Sequence, residues 1–353
     1  MKINHLAISL SLLAAFLSVG VRSGYSQTQE NQLTQLPSQI TDQIIDIDGS
    51  STVYPVTEAV KNEFMQVEPD FKVNVSFSGT GGGFQKFCAA QTDINGASRP
   101  ITLQEMEACR NNGVGYIEIP VAFDALTVVV NPQNTWAQDI TVEELKKMWE
   151  PAAQGKISQW QQVRSGWENQ PLKLYGAGTD SGTYDYFAEA IVGGDSLRSD
   201  FTGSEDDTIL VQGVAGDPNA LGFFGFAYFN QNQDKLRALS VNGVMPSRET
   251  VEDASYQPLS RPLFIYVNVQ SAQNNPNLRR FVDFYMQNGL RIVEEIGFIP
   301  LPEEAYHVGL VRFHNGNVGT VFDGVPQPGL TIQEVLQKDP IYSPDQEAVN
   351  FLN

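Results

Sequence analysis

Two spacings of apolar positions alternate along this chain. Ile44 to Asp48 reads as a short buried strand, and from Val53 the apolar residues fall at Val53, Val56, Val60 and Phe64, a helical period. Phe71 to Phe77 alternates as a strand, and "GTGGGFQKFCAA" opens a second helix. "TDINGA" is a short strand. "TLQEMEACRNNG" is a helix that starts on a capping box, Thr102 with Glu105, and stops at Gly113. Ala125 to Asn131 predicts a buried strand, and Thr141 with Glu144 caps the next helix. "LKLYGAG" and "SGTYDYFAEAIV" form a strand and a helix; "LGFFGFAYF" and "PLFIYVN" read as further strands. "LRRFVDFYMQNGLRIVEEIG" is helical, whereas the chain after Leu301 is less regular, with turn signals at "HNGN" and "VPQPG". Strands alternating with helices predict an α/β architecture with largely parallel sheets. Two such groups suggest two lobes, joined near Phe123–Ala125 with a return near Leu263–Val267.

The extreme N-terminus departs from this pattern. Lys2 precedes an apolar run from Leu6 to Val21, too short to span a bilayer comfortably, and small residues follow. This predicts an export signal cleaved near Ser26, then a polar linker rich in Gln, Thr and Ser. No Cys lies near the cleavage region, so a lipid anchor is not expected. The 22 basic and 41 acidic residues give a net charge of -19, and loss of Lys2 and Arg22 with the signal makes it -21. Such a chain is a poor nucleic-acid binder. It also repels free anions at long range, so an anionic ligand would need local dipoles. The two cysteines, Cys88 and Cys109, sit in successive predicted helices; an exported chain could bridge them or keep two buried thiols.

Three times a predicted strand ends in Gly, Ser and Thr where a helix begins: "DGSSTV" (48–53), "SGTGGG" (78–83) and "GTDSGT" (178–183). Ligands of open α/β sheets bind at such strand ends. A helix start offers unpaired N–H groups and partial positive charge, and Ser or Thr hydroxyls add neutral donors. Each loop alone could be an ordinary N-cap; three together suggest an oxyanion clasped between lobes. Competing chemistries lack parts. Phe84 stands where a dinucleotide loop needs its third glycine, and no Lys follows as in a nucleotide P-loop. "TDSGT" is not a nucleophile elbow, and the histidines, His5, His307 and His314, lie in the leader and the tail. Two Cys and two mature His in scattered places undersupply a zinc site. No cofactor or metal is expected.

"DGSSTVYPV", "SGTGGGFQKF", "DINGASRPI", "YGAGTDSGTYDYF" and "ALGFFGFAY", in that order, resemble the periplasmic phosphate-binding proteins of the phosphate-specific ABC transporter. The resemblance runs from about Ile44 to Pro302, with the chain to about Phe322 also family-like. It implies a two-lobed, hinge-joined periplasmic-binding-protein fold of type II. Each lobe would be a mixed, mostly parallel sheet flanked by helices. The implied division is 1–26 signal peptide, 27–43 flexible linker, 44–123 with 264–322 lobe one, 124–263 lobe two, and 323–353 tail. The implied activity is binding of inorganic phosphate by lobe closure and its delivery to a membrane permease, without catalysis, by a periplasmic monomer. Sulfate or molybdate binding, or a secreted phosphatase, are the alternatives.

Carried over motif by motif, the resemblance implies that Thr52 and Val53 bind from the first loop, with Ser51 a further candidate. It places Thr80 and Gly81 in the second loop and Ser181, Gly182 and Thr183 in the third. Two positions depart from the family. Where its members carry an Asp after "GAS", this chain has Arg99, and where they carry an Arg before the third loop it has Ala177. The expectation is that Arg99 grips the anion bidentately and that Asp180 accepts the phosphate proton.

Overall fold

The computed structural model describes residues 43–342 except 180, 195, 326 and 328. The segment predicted as export signal, nearly all of the predicted linker and the last eleven residues of the predicted tail lie outside that set. Among the described residues eleven strands are formed: β1 Ile44–Gly49, β2 Lys72–Val75, β3 Ile94–Ala97, β4 Tyr116–Val130, β5 Asp139–Ile140, β6 Lys173–Ala177, β7 Thr202–Ser204, β8 Ala220–Gly225, β9 Arg237–Ala238, β10 Ser240–Val241 and β11 Ser260–Asn268. The main sheet has the order β2-β1-β3-β11-β4-β8-β6-β7, with β9 also on β4 and a separate β10-β5 pair. β1 pairs in parallel with β2 and β3, and β6 with β7 and β8. The two long strands between these groups run antiparallel to their neighbours. The result is a mixed α/β fold in two lobes.

The lobes are joined by continuous strand rather than by loop. β4 pairs with β11 over Tyr116–Ala125 and then with β8 over Leu126–Val130. All fifteen of its positions are buried, as expected for a strand covered on both faces. The apolar pattern reveals only its second half, because Glu118, Pro120 and Asp124 interrupt the first. Each interruption has a structural reason. The ladder with β11 shifts register between Leu263 and Phe264, opposite Pro120–Ala122, so the proline sits at a bulge. The Glu118 carboxylate accepts hydrogen bonds from Tyr266 Oη (2.5 Å), Thr320 Oγ1 (2.6 Å) and Val321 N (3.1 Å).

Those last two bonds tie down the C-terminal segment, which is more regular than its sequence suggests. Glu303–Asn315 is a helix, and Ile332–Gln337 is another, capped by Thr331 with Glu334. Thr320 and Ile341, on either side of the second helix, exchange backbone hydrogen bonds, and Leu103 N donates to Gly324 O at 3.0 Å. Arg312 donates to the carbonyls of Val335, Leu336 and Lys338. "LGFFGFAYF" also differs from expectation. The strand ends at Gly225, and Phe226–Gln231 is helical. The long helix Pro276–Glu295 buries Leu278, Phe281, Val282, Tyr285, Met286, Ile292 and Val293, the face its spacing predicts. Each such side chain contributes about 1.5–3 kcal/mol by leaving water. Cys88 and Cys109 are joined by a disulfide between adjacent helices. No helix of the described residues is long and apolar enough to cross a membrane.

Candidate functional site

The first two Gly/Ser/Thr loops come together because β1 and β2 are parallel neighbours and the helix starting at Thr80 packs close on β1 and β3. Glycine makes that approach feasible. Gly49 has φ +136°, and a Cβ there would lie 2.1 Å from Gly96 O; one on Gly83 would lie 2.5 Å from Gly49 Cα. Beneath them Asp48 accepts from Gly49 N (2.7 Å), Ser78 Oγ (2.9 Å) and Lys86 Nζ. Burial alone would push the Asp48 carboxyl up. Lys86, the Gly49 N–H and the hydroxyls of Ser78 and Ser76 outweigh it and hold the group below the usual carboxylate range. The carboxylate thus fixes both loops from below.

A pocket of about 180 Å³ opens above these loops. Its wall comprises Ser50, Ser51, Thr52, Gly79, Thr80, Gly81, Ser98, Arg99, Asp185, Tyr186, Glu189 and Arg261. Ser50–Thr52 precede the helix Tyr54–Val67, and Thr80 and Gly81 are in the first turn of the helix Thr80–Cys88. The first N–H groups of such helices have no intrahelical acceptor. Thr80 Oγ1 accepts from Ser98 N (3.2 Å) and lies 3.1 Å from Ser98 Oγ, so the second loop and the end of β3 form one cluster of hydroxyls.

Of the residues expected from sequence, Ser51, Thr52, Thr80, Gly81 and Arg99 line this pocket. Val53 does not: its N–H donates to Ser50 O at 3.2 Å and its side chain is 1% exposed. The N–H of Thr52 is also engaged, by Ser50 Oγ at 3.1 Å, which leaves its hydroxyl as the group to offer. The third loop sits beside the pocket rather than on its wall. A Cβ on Gly182 would lie 2.7 Å from Thr52 Oγ1 and 3.1 Å from Ser51 Oγ, so this glycine packs directly on the first loop. Ser181 caps its helix, accepting from Thr183 N at 3.2 Å. That helix reaches the pocket one turn later, through Asp185 and Tyr186, and the π-helical turn Ala188–Val192 that follows adds Glu189. Asp180 lies outside the described residues.

Arg99 is not the open fork that sequence suggests. Nη1 and Nη2 donate to Glu105 Oε2 and Oε1 at 2.9 and 2.8 Å, and Nη1 also reaches Pro100 O. Glu105 is itself bound by the Thr102 backbone and hydroxyl. This bidentate ion pair raises the Arg99 pKa further, against the opposing effect of burial. A bidentate grip on a ligand would have to displace a carboxylate from the same fork.

The cation that sequence reasoning missed is Arg261. It lies on β11 opposite Asp124 of β4 and spans the two lobes. Nη2 donates to Thr52 Oγ1 at 3.2 Å and lies 3.4 Å from Asp124 Oδ2; Nη1 is 3.8 Å from Glu189 Oε2. The guanidinium rests on the Tyr186 ring, 3.6 Å from its centroid, and Nε is buried without a hydrogen-bond partner among the described residues. Its carboxylate contacts are longer than those of Arg99, so Arg261 is the more available donor. The Asp124 carboxyl is pushed up by burial and held partly down by Arg261. One signal was present: Ser98-Arg99-Pro100 recurs as Ser260-Arg261-Pro262, and both triplets border the same cavity.

Comparison with known proteins identifies the family of the chain. A family model described as a PBP superfamily domain matches residues 26–288. The chain is 56% identical over 307 residues to Protein SphX of Synechocystis, covering 86% of this chain and 91% of that protein. It is 34% identical over 264 residues to the phosphate-binding protein PstS of Staphylococcus saprophyticus, covering 73% and 81%. Among solved structures, a possible phosphate binding protein from Planctomyces limnophilus is 44% identical with a TM-score of 0.73, covering 77% of this chain and 98% of that one.

Proposed function

From the premise that the chain belongs to the PBP superfamily, we propose that it is an exported, non-enzymatic binding protein for inorganic phosphate. It would act as a monomer and deliver phosphate to a membrane permease. The observation that carries this reading is the pocket in which two helix-start loops converge with Arg261. It offers neutral hydroxyls, backbone N–H groups and the half-buried guanidinium of Arg261 within a volume suited to a small tetrahedral anion. Ser51, Thr52, Thr80, Gly81 and Ser98 are its neutral donors, with Arg261 as the principal cation and Arg99 as a second. The relatives called phosphate-binding proteins support the choice of anion.

Because β4 and β11 cross between the lobes as continuous strands, opening would proceed by bending of these two strands, with Ser181, Gly182 and Thr183 leaving the first loop. Ligand would then shift the population toward the closed arrangement, in which Gly182 lies against Thr52 and Arg261 reaches both lobes. Phosphate keeps a proton near neutral pH and sulfate does not. Asp185 and Glu189 on the wall, and Asp180 from the third loop, are carboxylates able to accept such a proton and to repel an anion without one. Calorimetric titration of the ligand-stripped protein with phosphate, sulfate and molybdate tests the reading. Phosphate should bind, and excess sulfate should fail to displace it. Tighter binding of sulfate, or release of phosphate from a chromogenic ester by pure protein, would replace this reading with a rival.

A further inference from the structure

A second cavity adjoins the anion pocket and differs from it in chemistry. Its volume is about 270 Å³, and Ser98, Arg99, Tyr186, Glu189 and Arg261 belong to the walls of both. Away from these shared residues the wall is largely apolar: Phe123, Val251, Pro258, Pro262, Phe322 and Leu330. The composite site is therefore amphipathic, with guanidinium and hydroxyl groups at the shared end and an apolar chamber beyond. The C-terminal segment supplies one side of that chamber, and Glu118 holds this segment in place.

The chamber is built from parts that resist collapse. Phe123 and Phe322 are 5% and 3% exposed, each anchored in the core, and three prolines, Pro100, Pro258 and Pro262, fix the backbone around it. An anion alone has no use for such walls, since a phosphate gains nothing from apolar surface. An apolar chamber of about 150 Å³ accepts a benzene-sized group in general, so this one has room for a phenyl or short alkyl substituent.

We propose that this chamber is a second compartment of the ligand site. It takes the compact apolar substituent of an organic phosphonate or phosphate monoester whose anionic head occupies the loop-lined pocket. The proposal rests on the phosphate reading of that pocket. The anion is held as before by the loop donors and Arg261, while the substituent passes between Arg99 and Arg261 into the chamber.

Calorimetry on the full-length exported protein tests it, with inorganic phosphate and phenylphosphonate as probes. Two variants narrow the chamber from different sides, Ala190→Phe and Leu330→Trp. Phenylphosphonate should bind and compete with phosphate. Either variant should weaken phenylphosphonate by about tenfold or more, as expected for losing the burial of a few methylene equivalents, and leave phosphate nearly unchanged. If phosphate binds but millimolar phenylphosphonate neither binds nor displaces it, the chamber is no ligand compartment. The same conclusion follows if both variants weaken the two probes equally. Phenylphosphonate binding without phosphate binding would support the chamber and overturn the phosphate reading. Binding of neither probe would overturn both.

Discussion

At the residue scale the site is decided by which of two arginines is already committed. Arg99 is held by two hydrogen bonds to Glu105 shorter than 3 Å, whereas Arg261 leans on carboxylates at 3.4 and 3.8 Å and leaves Nε without a partner. Hydrogen bonds to charged groups contribute about 1.5–3 kcal/mol, so Arg261→Gln should weaken phosphate roughly 10- to 100-fold. Arg99→Gln should weaken it less and should instead lower thermal stability, because Glu105 loses its main ionic partner. Titration and thermal unfolding of both variants check this; equal losses of affinity would place the two arginines on the same footing. Asp124 gives a test in pH. Its folded pKa lies above 3.8 because burial outweighs Arg261. Between 3.8 and that raised value the native state holds more proton than the unfolded chain, so this group removes stability as pH rises through the window. Asp124→Asn lacks that slope. The melting temperature of the variant minus that of the wild type should therefore become more positive as pH is raised from about 4 toward neutrality. A pH-independent difference would show that Asp124 is not raised.

At the element scale, what the sequence reveals follows how local each determinant is. The helix Pro276–Glu295 and the capping boxes at Thr102 and Thr141 are local signals and are formed as read. Loops one and two converge for a reason also visible in the glycines, since Gly49 and Gly83 permit close packing of strand and helix. The full length of β4 is hidden because Glu118, Pro120 and Asp124 take their meaning from β11 and from Thr320, far along the chain. Arg261 is hidden similarly: a return between lobes is legible near Leu263, but nothing in "LSRPL" says that Arg261 will meet Thr52, Tyr186 and Glu189 there. Gly83→Ala tests the strand–helix contact. Its Cβ would meet Asn95 Oδ1 at 2.0 Å and backbone at 2.5 Å, so stability should fall by about 1–3 kcal/mol and phosphate binding should weaken as both loops shift. The disulfide spans a sequence separation of 21. Replacing both cysteines by Ser should therefore lower stability by about 3 kcal/mol, read from denaturant unfolding. Unchanged stability would mean that the packed helices already restrict this segment in the unfolded chain.

At the scale of the whole molecule, a chain of net charge -19 has to admit an anion. The opposition is one of range. The repulsive field of the whole chain acts over the Debye length, about 30 Å at 0.01 M salt and about 8 Å at 0.15 M. The helix-start N–H groups, the hydroxyls and the guanidinium of Arg261 act at about 3 Å, where salt screens them little. The long-range field should therefore slow the approach of phosphate, and the local donors should govern its release. Raising ionic strength from about 0.01 to 0.15 M should then increase the association rate constant and leave the dissociation rate nearly unchanged, the reverse of the usual behaviour of steered complexes. Stopped-flow fluorescence of a surface-labelled protein, mixed with phosphate across a salt series, measures both constants. A rate of association that falls with salt would mean that the two arginines project enough positive potential beyond the cleft to steer the anion in. The surplus acidic residues would then lie too far from the entrance to matter.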